Sequence, residues 1–483
     1  NTFFKFYTID STMKYISTRD MNKSVYSFTD VLMRGLADDG GLFVPECYPK
    51  LSLSQLESLS KKSYSDLAYD IMSLFISDSI DSDILKTILK DTYNSNVFKY
   101  NEITPVKNVY NSIFIQDLST GPSLAFKDLA MQFLGNIMDY VLNTTNSRLT
   151  ILGASSGDTV SAAEEALRSK ACIDVVMLTP KNGMSPFQKA QAGSILDENI
   201  FNLSIQGPFD RCQDIVKEVN CDMEFKSKYS IGAVNSINWG RICAQIVYYF
   251  NGYFLAVKKV GDVVDFVVPS GNFGNILAGY IAKEMGLPIR NLGVSTNENV
   301  VLDHFFKTGH YTQKDVVVTS SPSMDISKAS NIERLFFDVL DRDPLKCVQL
   351  MNTFESTRSV SLDDKLAILT KTKGFESDSC THQQRIECIK KVYKDTSYII
   401  DPHTAAALKF AFNKVKSDDK TPVICMETAK PTKFESVIDE ALGFIPERSA
   451  GFVDLELKDQ RFFDVDNTTA AVKEFIASTI GVK

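Results

Sequence analysis

Apolar and polar positions follow two different periods along the chain. From residue 1 to about 105, after an opening extended segment, apolar residues recur at helical spacing. "SFTDVLMRGL" predicts a helix with Ser27 as N-cap and Gly35 near its end, and "ADDGGLFVPE" predicts the turn that follows. "LSLSQLESLSKKSYSDLAYDIMSLF" continues the helical spacing. From Ile113 onward, short β-branched runs alternate with amphipathic segments. "LTILGAS" (149–155), "IDVVMLTP" (173–180) and "FVVPS" (266–270) each precede a helical pattern, and "NLGVSTN" (291–297) and "PVICMETA" (422–429) read as further strands. Strand–loop–helix units in series predict a parallel α/β sheet. The stretch 302–400 is richer in helix and loop, and "VKSDDKTP" (415–422) reads as a surface loop.

The longest apolar run, Ile242 to Val257, is broken by Gln245, Asn251 and Gly252. It is too short for a membrane span and predicts a buried core helix. No repeat, low-complexity segment or long charge run interrupts the pattern.

Length and charge narrow this picture only modestly. At ~150 residues per domain, 483 residues give about three domains. With 52 basic and 60 acidic residues, the net charge of −8 argues against a nucleic-acid partner. Nine cysteines without a Cys-x-x-Cys pair do not form a disulfide scaffold and point to a reducing, cytoplasmic setting. Four scattered histidines do not make a zinc set, so no metal is expected. The chain begins at Asn1 rather than Met, which leaves a removed leader open.

Ligands of open α/β sheets bind beyond the carboxyl ends of the strands. Three loops are candidates for such a position. Ser270-Gly271-Asn272-Phe273-Gly274-Asn275 joins a Val-rich strand to a helix. Glycine permits close backbone approach, and the helix N-terminus offers N–H groups that suit a phosphate; the alternative is a plain tight turn. Ser155-Ser156-Gly157-Asp158-Thr159 suits a carboxylate or phosphate, or simply caps its helix. Gly121 to Asp128 opens the apolar-striped helix "AFKDLAMQFLGNIMDYVL". There Lys127 sits beside the buried stripe at the positive end of the helix dipole, which favours a free amine; the alternative is an exposed lysine. Together the loops describe an amine, a phosphate cradle and an anion-binding loop, the parts a pyridoxal-phosphate site needs.

The residues that follow the same order elsewhere reinforce this. "YISTRD…SFTDVLMRGLADDGGLFVPE", "GPSLAFKDLAMQFLGN", "GASSGDTVSAA", "NSINWGRICAQIVYYF", "PSGNFGNILAGYIAKEMGLPI", "STNENVVLDHFFKTG", "SPSMDISKASNIERL", "DPHTAAAL" and "ETAKPTKF" run nearly the length of the chain. In these the chain resembles the threonine synthase family of the pyridoxal-phosphate fold type II superfamily, in its longer fungal and bacterial subgroup. The resemblance implies two interleaved open-sheet α/β domains of the tryptophan-synthase-β-like kind with an added, mainly helical N-terminal lobe. The expected division is a lobe at 1–105, a large cofactor domain from 106–132 and 240–483, and a small α/β domain at 133–239.

It also implies roles. Lys127 carries pyridoxal 5'-phosphate as a Schiff base and is the catalytic residue. Gly271, Asn272, Phe273, Gly274 and Asn275 cradle its phosphate, and Thr428 faces its ring nitrogen. Ser155, Ser156, Asp158 and Thr159 grip the substrate carboxylate, and Asn238 and Arg241 lie near the substrate phosphate. The implied activity is a carbon–oxygen lyase acting on a phosphate, converting O-phospho-L-homoserine and water to L-threonine and phosphate. The expected state is a monomer or homodimer, with no nucleic-acid or membrane partner. A phospho-lyase releasing 2-oxobutyrate and a non-catalytic binding protein are the competing readings. The chain departs from the family pattern at Ser123, at Val160 and at Lys430, where the family has His. For Lys430 a changed proton relay and a brace behind the site both remain open.

Overall fold

The computed structural model describes residues 12–154, 157–181, 184–207, 209–415 and 419–480. The expected surface loop at 415–422 lies partly outside them.

The N-terminal helices start where serine or aspartate offers an oxygen to the first free N–H groups. Ser27, Ser52, Ser63 and Asp81 cap the helices Phe28–Arg34, Leu53–Leu59, Tyr64–Ile76 and Ser82–Thr92, and Ser27 and Ser52 form reciprocal capping boxes. Gly35 ends the first of these at φ 69°. Two short strands, β1 (Tyr15–Ser17) and β2 (Phe43–Pro45), pair antiparallel beside them.

Two larger sheets carry the rest. The first has the order β13 (Phe375–Ser379), β10 (Ile289–Thr296), β9 (Val264–Pro269), β14 (Val423–Glu427), β4 (Ile113–Asp117) and β3 (Val106–Tyr110). Every pair in it is parallel except β3 with β4. The second is wholly parallel, in the order β15 (Phe463–Val465), β7 (Ile200–Ile205), β6 (Ile173–Pro180), β5 (Leu149–Ala154) and β8 (Ile231–Gly232). A further small pair joins β11 (His310–Thr312) to β12 (Ser359–Ser361). The central strands β6, β9 and β14 are buried at every position, as parallel strands covered on both faces must be.

The end of the chain departs from the expected boundaries. Residues placed with the large domain instead extend the second sheet: β15 pairs with β7, and the following helix Thr469–Thr479 buries Val472 and Ile476 in the apolar core beneath it. The physical reason is an edge. Strand β7 would otherwise present unpaired backbone groups, and β15 covers them.

The helix Trp239–Ala256 is the apolar run expected to be internal. It buries 15 of its 18 residues against the helices Tyr64–Ile76, Lys127–Thr144 and Gly274–Glu284, and its one charged residue is Arg241. Among the described residues no helix is long and apolar enough to cross a membrane.

Candidate active site

The turn that delivers Lys127 is stitched to the end of β14. Phe126 donates its backbone N–H to Thr428 O at 2.9 Å, Lys430 N–H donates to Leu124 O at 3.1 Å, and Ala125 bridges Ala429. Inside the turn, Ser123 N–H donates to Asp128 Oδ2 at 2.8 Å, and a Cβ at Gly121 would stand 2.6 Å from that same carboxylate. Burial pushes Asp128 up to about 7.

Lys127 thus opens its helix in a fixed place. Its Nζ donates to Thr159 Oγ1 at 2.8 Å. Burial is the main force on the amine and lowers its pKa to about 8; Asp158 opposes this, while Arg241 and Lys433 assist it. A free amine is therefore accessible near neutral pH, which is what covalent attachment of a carbonyl requires.

A cavity of about 1060 Å³ opens from Lys127, lined by Thr159, Arg241, Gln245, residues 269–275, Ser323, His403 and Thr428 among others. The loop Ser270–Asn275 follows β9 as expected. Phe273 takes the left-handed φ of 64°, held by rings of Phe306 and Phe375 each 5.9 Å away, and starts the helix Gly274–Glu284 without a side-chain cap. The first N–H groups of that helix face the loop with no side chain to satisfy them, a fit for a phosphate. Asn275 is turned inward: its Oδ1 accepts from Tyr248 and Tyr249 hydroxyls at 2.7 and 2.8 Å. At Gly271 a Cβ would stand 2.6 Å from Ser323 O and 3.0 Å from Ile326. Gly271→Ala is therefore expected to displace the cradle and weaken cofactor binding about tenfold or more, read by titrating cofactor into the protein and following its visible absorbance.

Arg241 is buried in the same cavity wall. One Nη donates to Val234 O at 3.2 Å, its Nε is buried without a partner, and no carboxylate pairs with it among the described residues. Burial holds its pKa down at about 10. An unpaired buried guanidinium is a receptor for an anion.

Other expected site residues are placed differently. Asn238 does not line the cavity: its Oδ1 accepts from Gly240 N–H at 2.9 Å, capping the helix, and its Nδ2 donates to Leu32 O at 2.8 Å. Asp158 does not line the cavity but lies just behind its wall, pairing with Lys433 at 2.9 Å and accepting from Ser323 Oγ at 3.1 Å. Ser155 and Ser156 lie outside the described residues.

Lys430 braces the sheet. Strands β14 and β4 set Glu427 directly beside Asp117, and Lys430 Nζ reaches both carboxylates, at 2.9 and 2.5 Å. Burial pushes Glu427 up to about 7, with Tyr398 donating to it at 2.6 Å. Lys430 does not line the cavity.

Four lining or bracing residues were not singled out from sequence. Gln245 lies one turn after Arg241 on the same helix face, a spacing that marks it once Arg241 is accepted. His403 follows Asp401-Pro402, a helix-start signature. Its Nδ1 meets Asp401 Oδ2 at 2.6 Å and its Nε2 meets Ser323 N–H at 3.1 Å. A backbone N–H only donates, so the lone pair is on Nε2 and the proton on Nδ1. Ser323 and Lys433 carry no local signal.

Comparison with known proteins covers nearly the whole chain. A profile described as the threonine synthase N terminus matches residues 14–93, one for pyridoxal-phosphate dependent enzymes matches 89–352, and one for the threonine synthase C terminus matches 404–476. The chain is 47% identical to a threonine synthase of Methylobacillus glycogenes over 97% of its length and 100% of the relative's. It is 42% identical to that of Saccharomyces cerevisiae over 89% of each chain. A structure of pyridoxal-phosphate-bound threonine synthase from Brucella melitensis superposes with a TM-score of 0.93 at 37% identity, covering 97% of this chain and 99% of that one. A lysine amine, an uncapped helix start and an unpaired guanidinium around one cavity, joined to this likeness over nearly the whole sequence, establish that the chain belongs to the threonine synthase family of pyridoxal-phosphate-dependent enzymes.

Proposed function

We propose that the cavity around Lys127 converts O-phospho-L-homoserine and water to L-threonine and phosphate. The observation that carries this reading is the neutralisable Lys127 amine in one cavity with an uncapped helix start and the unpaired Arg241. These residues fit pyridoxal 5'-phosphate. Lys127 would hold it covalently, Gly271 to Asn275 would cradle its phosphate, and Thr428 would face its ring. When bound, the cofactor supplies a sink for negative charge developing at the substrate's Cα. Lys127 Nζ takes the Cα proton and later delivers a proton at a neighbouring carbon, work suited to an amine with a pKa near the operating pH. Thr159 Oγ1 orients that amine and, with its loop, receives the substrate carboxylate. Arg241 receives the substrate phosphate and holds the leaving group. Asp158 belongs to the brace behind this loop rather than to the substrate contact.

The helical lobe, the cofactor-binding unit and the smaller parallel-sheet unit remain our division of the chain, with residues 463–480 added to the smaller one. The nine cysteines are free thiols, in keeping with the reducing, cytoplasmic setting we assign.

The test is product analysis. Purified holoenzyme given O-phospho-L-homoserine is expected to release threonine and phosphate in equal amounts. Release of 2-oxobutyrate without threonine would replace this reading with a phospho-lyase.

A further inference from the structure

Lys433 lies 2.9 Å from Asp158, and both side chains are almost wholly buried, at 0% and 4% exposure. Its Nζ also donates to Ser123 O at 2.7 Å and to Gln191 Oε1 at 3.1 Å, while Gln191 Nε2 donates to Ser123 O at 3.0 Å. One ammonium group thus ties the turn before Lys127 to two helices of the second sheet's unit. Asp158 is the first residue of the helix Asp158–Leu167, and the next residue, Thr159, accepts from Lys127 Nζ. The charges facing Lys127 are Asp158, Arg241, Lys433 and, on its own helix, Asp128. His403 faces Asp158 from the helix Pro402–Lys414.

We propose that Lys433 is a positioning residue: it neutralises Asp158, so that Lys127 gives up its proton more readily and can capture the cofactor as the free amine. A buried carboxylate without Lys433 would turn to the next cation within reach, Lys127, and hold it as an ammonium ion. The pair also fixes Thr159, so charge and geometry are set by one contact. Consistent with this, Asp158 lies below its usual range: burial raises it, but Lys433 first and Lys127 second outweigh burial.

The proposal rests on Lys127 carrying the cofactor. Its test uses full-length protein stripped of cofactor and follows the regain of visible absorbance when pyridoxal 5'-phosphate is added across a pH series. Lys433→Met is expected to move the midpoint up by about one pH unit, and Asp158→Asn to move it down by a similar amount. The double variant, which contains neither charge, is expected to return near the wild-type midpoint. Removing packing alone does not move the midpoint in opposite directions. Should Lys433→Met fail to fold, Asp158→Asn and the double variant still decide: equal midpoints in Asp158→Asn and wild type overturn the proposal. Wild-type protein that gains no absorbance at any pH would overturn the assignment of Lys127 instead.

Discussion

Lys127→Ala is expected to abolish turnover and visible cofactor absorbance together, with kcat reduced at least about 10³-fold. On the proposed roles, the variant removes both the attachment point and the group that moves protons. It leaves the surroundings in place, because the turn is held by Phe126 N–H on Thr428 O and by Lys430 N–H on Leu124 O, neither of which involves the lysine side chain. Stability makes a second, independent reading. In protein stripped of cofactor, the lysine pKa is depressed to about 8 from an ordinary 10.5. The unfolded chain therefore binds the proton more tightly, and the wild-type protein gains stability as pH rises from about 8 to about 10.5. The Ala variant lacks that gain. Denaturant titrations of both proteins at pH 7 and pH 10 check it; identical pH slopes would mean the amine is not buried as described.

Arg241→Ala is expected to raise KM for O-phospho-L-homoserine about 100-fold while changing cofactor affinity less than about threefold. The guanidinium is buried, and among the described residues one Nη donates to Val234 O while its Nε meets no acceptor. On the proposed assignment the cofactor phosphate is received by the uncapped helix start at Gly274, so the two anions would be held by different groups. Arg241→Lys is expected to restore little, because an ammonium group lacks the fork that meets a phosphate with two parallel bonds. Equal loss of cofactor and substrate affinity would place Arg241 in the cofactor cradle.

The legible parts of this protein are those with local causes. Strand β6 occupies residues 173–180 as read, because eight buried residues, seven of them β-branched or apolar, bounded by turns admit few alternatives. The Ser27 cap, the Lys127 helix and the loop after β9 were readable for the same reason: each is specified within a few residues. The Asp158–Lys433 pair was not, since the contact joins distant segments that meet only when two sheets pack. Asn238 shows the opposite error. The family resemblance implied a contact near the substrate phosphate, whereas its Oδ1 caps a helix and its Nδ2 holds Leu32 O. Strand β15, three residues long and only partly buried, lacks the length for a periodic signal.

That strand has a consequence for how the protein is made. The second sheet is complete only when residues 463–480 join it, and these are synthesised after all the others described. During translation β7 waits with an open edge, and the apolar residues beneath Val472 and Ile476 wait uncovered. Completion of the smaller unit thus waits until residues 463–480 have been made, and a chain cut shortly before Phe463 is expected to expose both the β7 edge and this apolar surface, features that favour aggregation.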